Sequence, residues 1–280
     1  MGKNKTERED LVKKYFLRTP SKPNYFWNFL WITISIILII IGVMMLQASN
    51  GRNSDQFLII VVAGLVFFII SFFSFLAKRN RYRRAYNMTE PKATDEQMDH
   101  WLDEGREMIL KTAMKRLDVE DDDISNIPLV IDGPDEKTSV RPGKDKILRF
   151  RIHDMLLFFL TEHNVSTFQC FYDLGSNEIL EDGTKEFPYK DITSLETETV
   201  KSDDPFYKFE KRKKIDELKS LSLYTSGGNC ISIYYFDPEV SHNTEDYRLP
   251  PSDAEKTIKA IRKRLKEYKD KFSSGLQRPI

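Results

Sequence analysis

Two long uncharged apolar runs constrain this chain more than anything else in it. Residues 25–46 and 57–77 contain no Asp, Glu, Lys, Arg or His. At about 1.5 Å of rise per helical residue, each run reaches across the ~30 Å hydrocarbon core of a bilayer. A soluble core helix is rarely apolar on every side for so long, and in lipid such a run persists only as a helix that satisfies its own backbone hydrogen bonds. The expectation is a two-helix transmembrane hairpin over residues 25–77.

Bulk composition conceals this. The 43 basic and 43 acidic residues and the 40% hydrophobic content are those of an ordinary soluble protein, because a long charged remainder dilutes the two runs. The distribution of charge is more informative. Lys3, Lys5, Arg8, Lys13, Lys14, Arg18 and Lys22 precede the first run, and Lys78, Arg79, Arg81, Arg83 and Arg84 follow the second. Residues 47–56 between them carry only Arg52 and Asp55. Basic flanks stay on the cytoplasmic side, so a multi-pass protein of the inner or plasma membrane with both termini in the cytoplasm is expected.

The first run starts too far into the chain and is too long for a cleaved signal. Tyr25, Phe26, Trp27 and Trp31 suit its headgroup-level end, and Gly42 and Gly64 would let the two helices approach. Because ion and substrate paths usually display ionisable groups, the hairpin reads as an anchor. The alternative is an oligomeric channel or pore-forming effector gated by the cytoplasmic domain. Residues 1–24 read as a basic arm lying along an anionic leaflet.

Residues 78–124 read as a basic juxtamembrane segment and a linker helix. Pro91 interrupts helical continuity, and Thr94, Asp95, Glu96 and Gln97 supply an N-cap, acids against the helix dipole and a capping-box partner. Met98, Trp101, Leu102, Ile109, Ala113 and Leu117 then recur at helical spacing, with Gly105 on the same stripe. This stripe needs a partner surface. The acidic run 120–123 lacks the spacing of a calcium loop and reads as a solvated linker.

Residues 125–280 form the remaining domain, where alternation replaces the helical period. Short strands are expected at 127–131 and 147–152, and a central one at 156–161. A turn at His163 and Asn164 precedes a strand with Phe168, Cys170, Tyr172 and Leu174 on one face and Thr167, Gln169 and Asp173 on the other. Asp182 and Gly183 read as an interruption before a further strand at 187–196. Leu221 and Leu223 lead through Ser226, Gly227, Gly228 and Asn229 to Ile231, Ile233 and Tyr235, a hairpin signal. Six to eight antiparallel strands are expected in all. A final helix capped by Ser252 or Asp253 carries the stripe Ile258, Ile261, Leu265, Tyr268 and Phe272 amid many lysines and arginines.

The fold class is therefore α+β: a transmembrane hairpin, a linker helix and an antiparallel β-barrel-like domain closed by a C-terminal amphipathic helix. This arrangement resembles the pleckstrin-homology-like (PH-like) domains of membrane-tethered bacterial proteins. The stretch Leu160, Thr161, Glu162, His163 and the run 187–195, reading Phe-Pro-Tyr-Lys-Asp-Ile-Thr-Ser-Leu, carry the resemblance. It implies a surface for lipid headgroups, a peptide or self-association, and usually no catalysis. The family's basic lipid-reading signature is reduced here to Arg149 and Arg151.

Motifs for chemistry are sparse. His100, His153, His163 and His242 show no metal spacing and read as surface or turn residues, while Cys170 and Cys230 read as separate thiols. No phosphate loop or nucleophile elbow is present, so no enzyme activity and no cofactor is expected. Charge gives the better lead. Lys78, Arg79, Arg81, Arg83 and Arg84, then Lys208, Lys211, Arg212, Lys213 and Lys214, and Arg262, Lys263 and Lys266 are the candidate residues for binding lipid or a partner. The expected function is that of a membrane-anchored scaffold or regulatory protein whose partners are membrane lipids and another protein or a second copy. Nucleic acid is not among them.

Overall fold

The computed structural model describes residues 2–48, 54–119, 128–135, 138–201, 206–209, 213–215, 217–236, 247–250 and 252–275. The chain divides into two compact units, one of Leu17–Pro91 and one of Met1–Phe16 with Lys92–Ile280. The membrane-type hairpin is thus an insertion: the chain leaves the larger unit after its first helix and re-enters it after the hairpin.

In the smaller unit, α2 (Phe26–Ala48) and α3 (Ser54–Thr89) each contain a stretch long and apolar enough to cross a membrane. Their apolar side chains point outward, as for Trp27, Ile37, Phe67 and Phe73, the reverse of a soluble core helix. The helices pack along one seam. A Cβ on Gly42 would lie 2.7 Å from Val61 Cγ2, and one on Gly64 would lie 2.8 Å from Ile39 Cγ1, so both glycines sit where only hydrogen fits. Asn28 Nδ2 donates to Ser74 Oγ across the seam at 3.4 Å. Beyond the apolar run α3 continues through Lys78, Arg79, Arg81, Arg83 and Arg84, and it ends just before Pro91 as expected.

The larger unit is α+β and antiparallel throughout its sheets. Strands β1 (Leu129–Pro134), β4 (Ile152–Leu160), β5 (Asn164–Asp173) and β6 (Glu178–Pro188) form one sheet in the order β1-β4-β5-β6. A second has the order β11-β10-β7, from β7 (Ile192–Lys201), β10 (Glu217–Thr225) and β11 (Cys230–Tyr235). Two small pairs complete the set, β2 (Val140–Pro142) with β3 (Leu148–Phe150) and β8 (Tyr207–Phe209) with β9 (Lys213–Ile215). Eleven strands are described where six to eight were expected, because several are only three residues long.

The described strands do not close into a barrel: the hydrogen-bonded ladders stop at the edges of separate sheets. β11 nevertheless runs against β1, where a Cβ on Gly133 would overlap the Tyr234 carbonyl oxygen.

β4 is the centre. Leu156, Phe158 and Leu160 enter one core with Ile233 and Tyr235 of the second sheet and Ile258 and Ile261 of α5 (Ala254–Gly275). Met155, Leu157 and Phe159 enter another core on the opposite face, under α4 (Asp95–Leu117) and α1 (Gly2–Phe16). Period-two alternation with both faces apolar gives a continuous hydrophobic run, as the sequence shows.

Five further expectations change. The strand expected at 187–196 is broken by a 3-10 turn at Tyr189–Asp191, so that β6 ends at Pro188 and β7 begins at Ile192. β6 runs through Asp182 and Gly183 without interruption, because it is an exposed edge strand and Gly183 pairs in register with Gln169. β4 begins at Ile152, so the expected strands at 147–152 and 156–161 share one element in part. The helix expected as a linker is a core layer. It starts with the full capping box, Thr94 Oγ1 accepting from the Gln97 N–H at 3.2 Å and Gln97 Oε1 from the Thr94 N–H at 2.9 Å. The basic arm is largely α1, whose Val12 and Tyr15 are buried against that layer. The acidic run 120–123 lies outside the described residues.

Arg8 fastens α1. Its Nε donates to the Leu174 carbonyl at 2.9 Å and its Nη2 to Tyr172 Oη at 3.0 Å, while the guanidinium lies over the Trp101 ring. Gly105 leaves the space that the Tyr172 ring occupies on α4. A soluble protein of residues 92–275 alone should therefore be on the order of 3–5 kcal/mol less stable than one in which residues 2–16 are fused ahead of them through a flexible linker, from the burial of Val12 and Tyr15. Chemical denaturation of the two checks this, and equal midpoints would show that α1 adds nothing.

Candidate functional site

A cleft of about 510 Å³ opens between α4, the end of β1, β3 and the start of α5. Its walls are mostly apolar, with Met98, Leu102, Val130 and Phe236 among them. Into these walls are set four carboxylates, Asp99, Asp103, Asp132 and Asp253, and three nitrogen bases, Arg106, Arg149 and His153.

Asp132 and His153 come from adjacent strands and fall on the face of the sheet that α4 covers. His153 Nδ1 lies 2.9 Å from Asp132 Oδ1, and Arg106 Nη2 donates to Asp132 Oδ2 at 2.8 Å. Burial alone would raise the Asp132 carboxyl, yet His153 and Arg106 hold it below the ordinary carboxylate range. Asp132, when ionised, holds a proton on His153 Nδ1, so an uncharged imidazole at this position has its lone pair on Nε2.

Beside this trio, Arg149 gathers carboxylates from two elements. Its Nε and Nη2 donate to Asp99 at 2.7 Å each, and its Nη1 and Nη2 donate to Asp145 at 2.9 and 2.8 Å. Asp95 stands 3.9 Å from Nη1 and accepts from Tyr15 Oη at 2.7 Å. Burial opposes the charge on Arg149, but Asp145 and Asp99 more than offset it and raise the guanidinium further. Burial, with Asp95 as acceptor, raises the Tyr15 phenol as well. These contacts tie α1, α4 and β3 together. Arg151 is engaged likewise: its Nε and Nη2 reach Asp173 at 3.1 and 3.0 Å. Both arginines singled out for lipid contact are thus internal ion-pair partners.

The other histidines fall as expected where they are described. His100 and His163 are exposed, and His242 lies outside the described residues. His153 corrects the expectation of a surface residue, because it is only 5% exposed. The strand alternation placing it with Asp132 on one face needs the β1–β4 register, which spacing along the chain does not supply. Cys170 and Cys230 are both free, and burial pushes the Cys170 thiol up to about 12, so it is an inert core group. Among the described residues no group of His, Cys, Asp and Glu is arranged to hold a metal ion.

The basic candidates fall in three places. Arg79, Arg81, Arg83 and Arg84 are exposed on α3, and Lys78 Nζ donates to the Asn24 carbonyl at 3.1 Å. Lys208, Lys213 and Lys214 lie on the β8–β9 pair, while Lys211 and Arg212 lie outside the described residues. Arg262, Lys263 and Lys266 are exposed on α5, where Lys263 Nζ stands 3.9 Å from Glu267 Oε1. Arg262 and Lys266 have no ion pair among the described residues and, with Lys269 and Asp270, border a shallow groove against Ile192, Ser194 and Leu195 of β7. Four members of the expected inward stripe of α5 face inward, Ile258 and Ile261 buried and Leu265 and Tyr268 partly so, while the Phe272 side chain lies outside the described part, and the Ala254 N–H donates to Ser252 Oγ at 3.2 Å.

Comparison of the chain with protein-family models, with curated proteins and with solved structures found no match.

Two outcomes follow from the electrostatics. Arg149→Met leaves the partly buried Asp95 and its neighbours without a cation, and should destabilise by about 3 kcal/mol, whereas exposed Asp99→Asn should cost under about 1 kcal/mol. Paired denaturation curves separate the two, and similar costs would contradict the role given to Arg149. Burial pushes the Asp154 carboxyl up to about 6, only partly countered by Gln169 Nε2 at 3.0 Å. The folded state therefore favours protonated Asp154, and this contribution is complete below the unfolded carboxylate range and lost as pH rises through about 6. Asp154→Asn should add roughly 1–3 kcal/mol of stability at pH 7.5 and little at pH 4. A gain of equal size at both pH values would refute the assignment.

Proposed function

We propose that this chain is a membrane-anchored, non-catalytic binding protein whose domain meets anionic lipid headgroups through the exposed face of α5. In this reading the α2–α3 hairpin crosses the membrane twice and both termini lie in the cytoplasm, on the side of the basic flanks. The observation that carries the reading is the pair Arg262 and Lys266, one helical turn apart, solvated and without acidic partners among the described residues. Lys259 continues the same stripe one turn earlier and is exposed.

Each Lys or Arg near an anionic leaflet contributes about 1 kcal/mol, so three or four together hold a tethered domain against a surface that none could hold alone. Tethering reinforces this, because the effective concentration of lipid facing the domain is high. The exposed arginines of α3 adjoin the apolar run and supply a second basic zone. The internal pairing of Arg149 and Arg151 leaves α5 as the better-supported headgroup surface of the domain.

Lysine acylation of the full chain in nanodiscs, read residue by residue by mass spectrometry, tests the reading. Lys259, Lys263 and Lys266 should be acylated roughly 3- to 10-fold more slowly in anionic than in neutral lipid, with the protection lost at high salt. Equal rates in both lipids would turn attention to a protein partner for the same face.

A further inference from the structure

The cleft beside His153 is not used by a lipid-facing α5, and its chemistry is of a different kind. His153 is more than nine-tenths buried and lines the cleft. Its Nδ1 is taken by Asp132, while its Nε2 makes no hydrogen bond among the described residues and is not sealed from the cavity. Asp132 is itself braced by Arg106, which also bonds Asp103 at 3.1 Å. An imidazole so held is oriented, and in its uncharged form it offers an acceptor to whatever enters.

The charge of the walls selects the partner. Four carboxylates face two arginines in the lining, and Arg149 is additionally matched by Asp95 and Asp145. Both guanidiniums are saturated by these acids, so neither is left to receive an anion. The remaining wall, from Met98, Leu102, Val130 and Phe236, takes hydrocarbon. We infer that this cleft is a binding site for a small organic amine, its apolar body against α4 and β1 and its N–H groups donating to His153 Nε2 within the field of Asp99, Asp132 and Asp253.

Isothermal titration on the full chain in nanodiscs, with empty nanodiscs as blank, tests this with three probes of similar shape: phenethylamine, 2-phenylethanol and 3-phenylpropionate. Phenethylamine should bind saturably, with at least tenfold weaker binding of the carboxylate and intermediate binding of the alcohol. His153→Gln should weaken phenethylamine at least tenfold, and Asp253→Asn, at an exposed position outside the core, about threefold. Leu102→Trp, which narrows the cleft from its half-exposed side, should abolish binding while the far-ultraviolet circular dichroism and the denaturation midpoint stay unchanged, so the test holds even if His153→Gln does not fold. Absence of saturable amine binding, equal binding of the carboxylate, or an affinity unaltered in Asp253→Asn and Leu102→Trp would overturn the inference.

Discussion

A strand apolar on both faces cannot be left with either face in water, and β4 imposes that requirement on the whole domain. Leu156, Phe158 and Leu160 require one cover and Met155, Leu157 and Phe159 another. The first is supplied by the second sheet and α5, the second by α4 and α1. At roughly 1.5–3 kcal/mol for each large apolar side chain buried, these two contacts dominate the favourable side of folding. The covering helices come from opposite sides of the membrane-type hairpin in sequence, α1 before it and α4 after it. The domain is therefore complete only when the chain returns to it after the inserted hairpin.

Polar interactions decide how those covers are seated. Arg149 alone would be costly at its depth, and so would three neighbouring carboxylates; together they satisfy one another while joining α4 to the β3 region, and Tyr15 extends the set to α1. Arg8 does the same at the other end of α1, through Leu174 and Tyr172. Basic residues of the N-terminal segment, which by charge alone belong to a leaflet, are in part structural. The same bonding occupies the arginines of β3 and its neighbourhood and directs attention to α5 for charge that is still available to a partner.

Much of the architecture is legible along the chain because its signals are local. The hairpin follows from two uncharged runs, the start of α4 from Thr94 and Gln97, and the β10–β11 turn from Gly227 and Gly228 between alternating segments. β6 is not legible through Gly183, because a glycine in an exposed edge strand carries the same local signal as a turn. The strands β2, β3, β8 and β9 are too short to show alternation. The His153 site was hidden for another reason: its members lie in α4, β1 and β4, and no spacing rule brings residues 106, 132 and 153 together.

What the sequence determined by itself is what depends on a residue and its near neighbours. This covers the two apolar helices, the helix caps, the faces of β4 and β5, and the apolar stripe on α5. What only the tertiary structure decided is which charges remain available. Arg149, Arg151 and Lys78 are bonded within the protein, whereas Arg262 and Lys266 are exposed and have no acidic partner among the described residues. It also decided that His153, which reads from the sequence as a surface or turn residue, is buried with one nitrogen held and the other open to a cleft. The reason is physical: periodicity reports how a side chain points, whereas partnership and desolvation depend on what the rest of the chain places opposite it.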